Sequence, residues 1–233
     1  MWIPTEILER LAQSLSTNQA NAQDERSHCG IDSLSEIQLH PLLSKAFTNS
    51  EIGICREIGF PTPTRERPNE SQRQRCDLVL IPEKTESIFD PVHEQRIHDE
   101  VAQTLFAGCK LENQASQSAC PPELAYWIEV KVIAQFSYID GVPQANAAYA
   151  SELTKGPKDD VIKLASDPLI HAGASLVIVF TEYPETGKHD IGQAVRMMIE
   201  QDLPISLPEF EQFQIPNFGG NEWCTLCLIP IKF

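Results

Sequence analysis

Residues Tyr126 to Val132 read YWIEVKV, and the fold turns on how these seven residues are read. The run is aromatic and β-branched, the composition of a strand. Side chains alternate along a strand, so Ile128, Val130 and Val132 share one face and Glu129 and Lys131 the other. The apolar face packs against a helix. The charged face carries two opposite charges about 6.5–7 Å apart along the strand. Charged residues are seldom fully buried unless paired, and an unpaired buried charge is costly. The strand therefore needs a counter-charge from elsewhere in the chain.

Asp77 supplies a second carboxylate. It opens DLVLI, a strand of the same hydrophobic type. If the two strands are neighbours, Asp77 and Glu129 converge on one point and repel each other unless a cation lies between them. A hard divalent ion, Mg²⁺ or Mn²⁺, takes oxygen ligands and commonly binds through one or two carboxylates plus a substrate phosphate. The adjacent Lys131 ammonium would orient a water or stabilise charge on that phosphate. The plainer alternative is a surface ion pair between Glu129 and Lys131 on a half-exposed strand.

The pattern on either side gives helix, three strands, helix, strand, helix, strand. Residues 4–16 place Ile7, Leu8, Leu11 and Leu15 on one helical face, and 18–29 read as a polar loop. SLSEIQLHPLLSKAF, 33–47, resumes helical spacing through Leu34, Ile37, Leu42 or Leu43, and Phe47, with Pro41 kinking or restarting the helix. EIGICREIGF (51–60) and CDLVLIP (76–82) read as strands, and 91–108 as a helix. Residues 138–155 stay unassigned, and the next helix starts at Pro157 with Val161, Ile162, Leu164 and Leu169 along its stripe. ASLVIVF (174–180) is a buried strand, 189–201 a helix and 222–233 a last strand. Three sequential strands before the first crossover predict an α/β fold with a mixed sheet, hairpin-like neighbours first and a parallel crossover afterwards. The chain reads as a single domain, 1–233, with an N-terminal helix and loop (1–30), a helical insertion (83–122) and C-terminal helix and strand additions (182–233).

CDLVL followed by WIEVKV resembles the signature of the PD-(D/E)XK nucleases, the restriction-endonuclease-like fold: an acidic residue opening the second core strand and E-x-K in the third. The family core runs helix, three strands, helix, strand, the order read here from residue 33 to 181. The resemblance implies an αβββαβ core, a central mixed sheet flanked by helices, and a metal-dependent endonuclease that hydrolyses phosphodiester bonds in DNA. It implies that Asp77 and Glu129 are metal ligands, that the backbone carbonyl of Val130 completes the site, and that Lys131 positions the water or stabilises the transition state. Many members add an acidic residue from the first core helix, for which Glu36 is the match. GPKDDVIKL is similar to the family's next helix, with Lys158 or Lys163 as phosphate contacts. Two features depart from the pattern: Cys76 precedes the acid where the motif has proline, and the long insertion separates Asp77 from Glu129. Gln144 and Tyr149 miss the Q-x-x-x-Y of the exonuclease branch by one residue.

Composition sets limits on partners. The chain has 233 residues, 42% hydrophobic and 22% charged, which is ordinary for a globular protein. No apolar run approaches the ~20 residues of a membrane helix, and the first residues lack a secretory pattern, so no membrane partner is expected. Seven cysteines at irregular spacing suit reduced thiols in a cytoplasm. The net charge of -15 weighs against tight non-specific phosphate binding. The densest positive charge, Arg65, Arg67, Arg73 and Arg75, directly precedes Asp77 and offers phosphate contacts. The partners to expect are DNA, a protein meeting the acidic surface, and a second copy of the chain. The second reading is a weak or inactive nuclease-fold module acting as a protein-binding or regulatory subunit.

Other motifs carry less. HEQRIH (93–98) spaces its histidines five apart, about 140° round a helix, which is wrong for a zinc H-E-x-x-H. Cys224 and Cys227 have zinc-like spacing, but on a strand they face opposite ways and read as core. ETGKHD (185–190) lacks the glycine run of a P-loop. His40, before Pro41, has two readings, a residue lining the site or a cap on the kinked helix, and the cap is the plainer one.

Overall fold

The computed structural model describes residues 2–24, 30–62, 73–83, 87–102, 119–139 and 142–233. The strands are β1 (Gly53–Gly59), β2 (Arg75–Ile81), β3 (Tyr126–Ala134), β4 (Phe136–Ile139), β5 (Val142–Ala145), β6 (Gly173–Thr181), β7 (Glu209–Gln214) and β8 (Trp223–Pro230). The helices are α1 (Pro4–Asp24), α2 (Glu36–Ser44), α3 (Pro91–Ala102), α4 (Tyr149–Ala165) and α5 (Pro184–Glu200). Six strands form one mixed sheet in the order β1-β2-β3-β6-β8-β7, and β4 and β5 form a separate hairpin. β1, β2 and β3 are antiparallel neighbours, and β3 then pairs in parallel with β6, as the sequence pattern predicts.

Helices cover both faces of the sheet. On one face Leu78, Leu80, Ile128, Val130, Leu176 and Ile178 meet Leu8, Leu11 and Leu15 of α1 and Leu39 and Leu43 of α2. On the other, Ile133, Val177 and Val179 meet Leu153 and Val161 of α4 and Ile191 and Val195 of α5. Each fully buried aliphatic chain stabilises by roughly 1.5–3 kcal/mol. β6 is buried along its whole length, which is why its sequence is continuously apolar. Cys224 joins the first layer and Cys227 the second, so they are core residues on opposite faces.

Several local expectations give way. α1 runs on to Asp24 instead of stopping at 16. Buried Gln19 extends its inner face and accepts the Ile31 N–H at 2.9 Å, so a polar residue breaks the apolar periodicity without breaking the helix. In α2, Ile37 is 74% exposed while Leu39 and Leu43 face the core. Pro41 lies inside that helix, which tightens into a 3-10 turn at Lys45–Phe47. α4 begins at Tyr149 rather than Pro157, and Pro157 sits in its interior. An interior proline costs about 3 kcal/mol, and the buried Leu153, Val161 and Leu164 outweigh it. The described part of 138–155 supplies the end of β4, all of β5 and the first turns of α4. β7, EFEQFQ, escapes the sequence reading because it is a polar edge strand with one neighbour. The C-terminal additions belong to the central sheet, since β8 lies between β6 and β7.

Arg65 and Arg67 lie outside the described residues, as does 103–118 of the insertion; its described part includes α3 and a 3-10 turn at Pro122–Leu124. Among the described residues no helix is long and apolar enough to cross a membrane.

Candidate metal centre

The site forms where one strand leaves its neighbour. The β2–β3 ladder runs from Leu80↔Tyr126 to Leu78↔Ile128 and stops there. Backbone donors on the open edge of β3 still need partners. Asp77 Oδ2 accepts the Val130 N–H at 2.7 Å, and Glu36 Oε2 accepts the Val132 N–H at 3.3 Å. Two carboxylates thus stand in for the missing strand. The sequence reading expects the carbonyl of Val130 in the site, whereas here its amide is what fixes Asp77. The carbonyl lies on the same edge, because a strand residue's N–H and C=O point to one side. Glu36 is placed by its position at the start of α2, where Ser35 and Gln38 form a capping box.

α4 covers the charged face of β3. Gly156, Asp160 and Lys163 recur at i, i+4 and i+7, so they share the side of the helix that meets the sheet. Lys163 Nζ lies 2.7 Å from Glu129 Oε1, 3.1 Å from the Arg75 carbonyl oxygen and 4.6 Å from the centroid of the Phe60 ring. Lys131 Nζ lies 3.4 Å from Glu36 Oε2 and 4.0 Å from Asp160 Oδ2. Gly156 leaves room for the Lys131 stem: a Cβ there would come within 2.9 Å of Cδ and 3.0 Å of Cγ. Glu129 and Lys131 are therefore not a surface pair, since each has its partner on a helix.

Burial dominates the electrostatics. It pushes the Glu129 carboxyl up to about 8, with the Asp77 charge adding to the rise and Lys163 opposing it. Burial likewise raises Asp160 to about 7 against the pull of Lys131. For Lys131, burial disfavours the ammonium, but Asp160 and Glu36 outweigh it and hold the pKa above the ordinary lysine value. Two carboxyls displaced towards neutral pH beside a firmly protonated lysine make this cluster a candidate functional site.

The structure adds a residue that the sequence reading assigns to a cap. His40 is 2% exposed and turned into the site. Its Nδ1 lies 3.2 Å from Glu57 Oε1, and its Nε2 lies 3.9 Å from Asp77 Oδ1 without a hydrogen-bond partner. Glu36, His40 and Asp77 each offer one ligand atom, and these atoms lie within 4.8 Å of one another. A buried imidazole nitrogen with no partner, aimed at two carboxylates, fits a divalent cation. Glu129 stands beside this group with its carboxylate on Lys163. The expected pair of Asp77 and Glu129 is thus adjacent, but the residues best placed to share an ion are Glu36, His40 and Asp77.

The expected phosphate contacts divide. Arg73 is committed elsewhere: it donates to Asp90 at 2.6 and 2.9 Å and to the Phe60 carbonyl. Lys158 is two residues from both Gly156 and Asp160, about 200° round the helix, so it projects away from the site. Lys163 lies in the site, but its ammonium balances Glu129. Arg75 is exposed at the start of β2, beside Lys163.

Sequence reasoning set His40 aside as a cap and missed Asp160 and Glu57. The first two had a signal: His40 follows Glu36 by four residues, and Asp160 precedes Lys163 by three, so each pair shares a helix face. Compared with protein-family models, curated proteins and solved structures, the chain matches none.

Proposed function

We propose that this chain is a divalent-metal-dependent nuclease of the PD-(D/E)XK type, with a restriction-endonuclease-like core, acting on phosphodiester bonds in DNA. The observation that carries this reading is the convergence of Asp77 and Glu36 on the open edge of β3, beside Glu129 and Lys131. Glu36, His40 and Asp77 would hold the ion, with Glu129 and the Val130 carbonyl alongside. Two carboxylates with one imidazole suit Mn²⁺ better than an all-oxygen set would, with Mg²⁺ as the second choice. The bound ion supplies Lewis-acid stabilisation of the charge that builds on the phosphate. Lys131 stays protonated between Glu36 and Asp160 and donates from Nζ to the phosphate or to the attacking water. Lys163 moderates the charge on Glu129, and Arg75 sits where the backbone of the substrate could reach it.

The test is cleavage of single- and double-stranded DNA with Mn²⁺, with Mg²⁺ and with a chelator. Cleavage should need the ion and be faster with Mn²⁺; no cleavage with either ion, or cleavage that survives chelation, sinks the reading. The net charge of -15 is what favours the alternative, a regulatory module of the same fold. Mn²⁺ binding without cleavage, together with a protein partner recovered by pull-down, would be its signature.

One prediction concerns Gly156. Alanine suits a helix better than glycine by about 1 kcal/mol, so Gly156→Ala should fold normally. Its methyl group would push the Lys131 stem aside, and a displacement on the order of 1 Å can cost about 10²-fold in rate. Cleavage should fall about that far at an unchanged melting temperature. Full activity would show that Lys131 needs no such channel.

A further inference from the structure

The β1–β2 ladder keeps one register from Gly53↔Ile81 to Gly59↔Arg75, yet it passes over one pair, Glu57 opposite Asp77. Glu57 there adopts a φ of 53°, a left-handed conformation that favours glycine. A glutamate kept in that conformation beside a candidate site needs a local reason. Its carboxylate supplies one, because Oε1 lies 3.2 Å from Nδ1 of the buried His40. The opposite ring nitrogen, Nε2, is the unpartnered atom facing Asp77.

We infer that Glu57 is a positioning residue for His40. It accepts the Nδ1–H, which leaves the Nε2 lone pair free and aimed at the point shared with Asp77 and Glu36. A histidine that binds a metal through one nitrogen commonly donates from the other to a carboxylate, which fixes both tautomer and ring angle. The left-handed residue brings the Glu57 side chain over His40 of α2, and the same break in the ladder frees Asp77 to reach Val130. One distortion thus sets two of the three proposed ligands. The inference rests on the metal centre of the proposed nuclease, but its readouts do not depend on cleavage.

Mn²⁺ affinity, measured by titration calorimetry on the full chain, is the first readout. Glu57→Ala should bind Mn²⁺ about 10–100-fold more weakly, while Glu57→Gln, whose amide oxygen can still accept the Nδ1–H, should stay close to wild type. The second readout is imidazole ¹⁵N NMR, which should place the His40 proton on Nδ1 in wild type and lose that preference in Glu57→Ala. The third separates backbone from side chain: Glu57→Gly should bind as weakly as Glu57→Ala yet melt about 2–4 °C above it, because glycine accepts the left-handed φ. Unchanged affinity in Glu57→Ala, or a proton on Nε2 in wild type, overturns the assignment and leaves the nuclease reading standing. A wild-type chain that binds no Mn²⁺ overturns both.

Discussion

Lys131→Ala should cleave DNA about 10²–10³-fold more slowly than wild type while still binding Mn²⁺, the size of loss seen when one preorganised donor is removed from a charge-developing centre. The geometry predicts this separation. Lys131 lies between Glu36 and Asp160 rather than among the three atoms suited to share an ion. Its removal takes away a donor to the phosphate and leaves the proposed ligands in place. It also raises the net negative charge near Glu36, so ion affinity should hold or rise slightly. Asp77→Ala should behave differently and lose both cleavage and binding. It also strips the Val130 N–H of its acceptor, and leaving a buried donor unsatisfied costs about 1–3 kcal/mol. Asp77→Asn keeps an acceptor and should recover the fold without the activity. Cleavage by Lys131→Ala at the wild-type rate would remove the central support for a nuclease.

Glu129→Gln should melt at a higher temperature than wild type at pH 8 with no divalent ion added, while losing activity. The carboxyl's ordinary value is 4.5, and burial in the fold raises it to about 8. Between those two values the unfolded chain has released a proton that the folded chain keeps, so wild-type stability falls as pH rises across that window. It levels off above pH 8. Below about 4.5 both states are protonated and the penalty is absent. Asp160 adds a fall of the same sign between 3.8 and about 7. Glutamine has no proton to give up and escapes the Glu129 part, on the order of a few kcal/mol at pH 8. Lys163 keeps the Arg75 carbonyl as an acceptor. Melting curves at pH 4, 6 and 8 should show a gap that opens with pH. A variant less stable than wild type at pH 8 would mean that the Lys163 pair outweighs the burial cost of Glu129.

The sheet was legible because its inner strands obey simple patterns. DLVLI, YWIEVKV and ASLVIVF are apolar enough to be core, and their order fixed the antiparallel start and the parallel crossover. The site was legible in part for the same reason: Asp77, Glu129 and Lys131 are the charges those strands cannot explain. What escaped depends on tertiary contact. Glu57 reads as one more polar residue on an edge strand, and only the skipped pair with Asp77 and the contact with His40 single it out. Pro157 looked like a helix start because its intrinsic preference says so; packing of the residues before it against the sheet overrode that preference. Gln19 and β7 were passed over because their polar character hid their place in the fold.

The two ends of β2 differ in what a change beside them would disturb. Its first end, near Arg75, carries Asp77; its last, Ile81, leads into the segment that returns at Tyr126. Ile81 lies four positions beyond Asp77, about 13 Å of extended chain. The long insertion therefore begins and ends at the far end of the hairpin from the charges. Lengthening, trimming or replacing it should leave the proposed ligands in place, and it is the natural place to graft a reporter or a second domain. The shorter link between β1 and β2 joins the ends of those strands nearer Glu57 and Asp77, so changes there fall closer to the site.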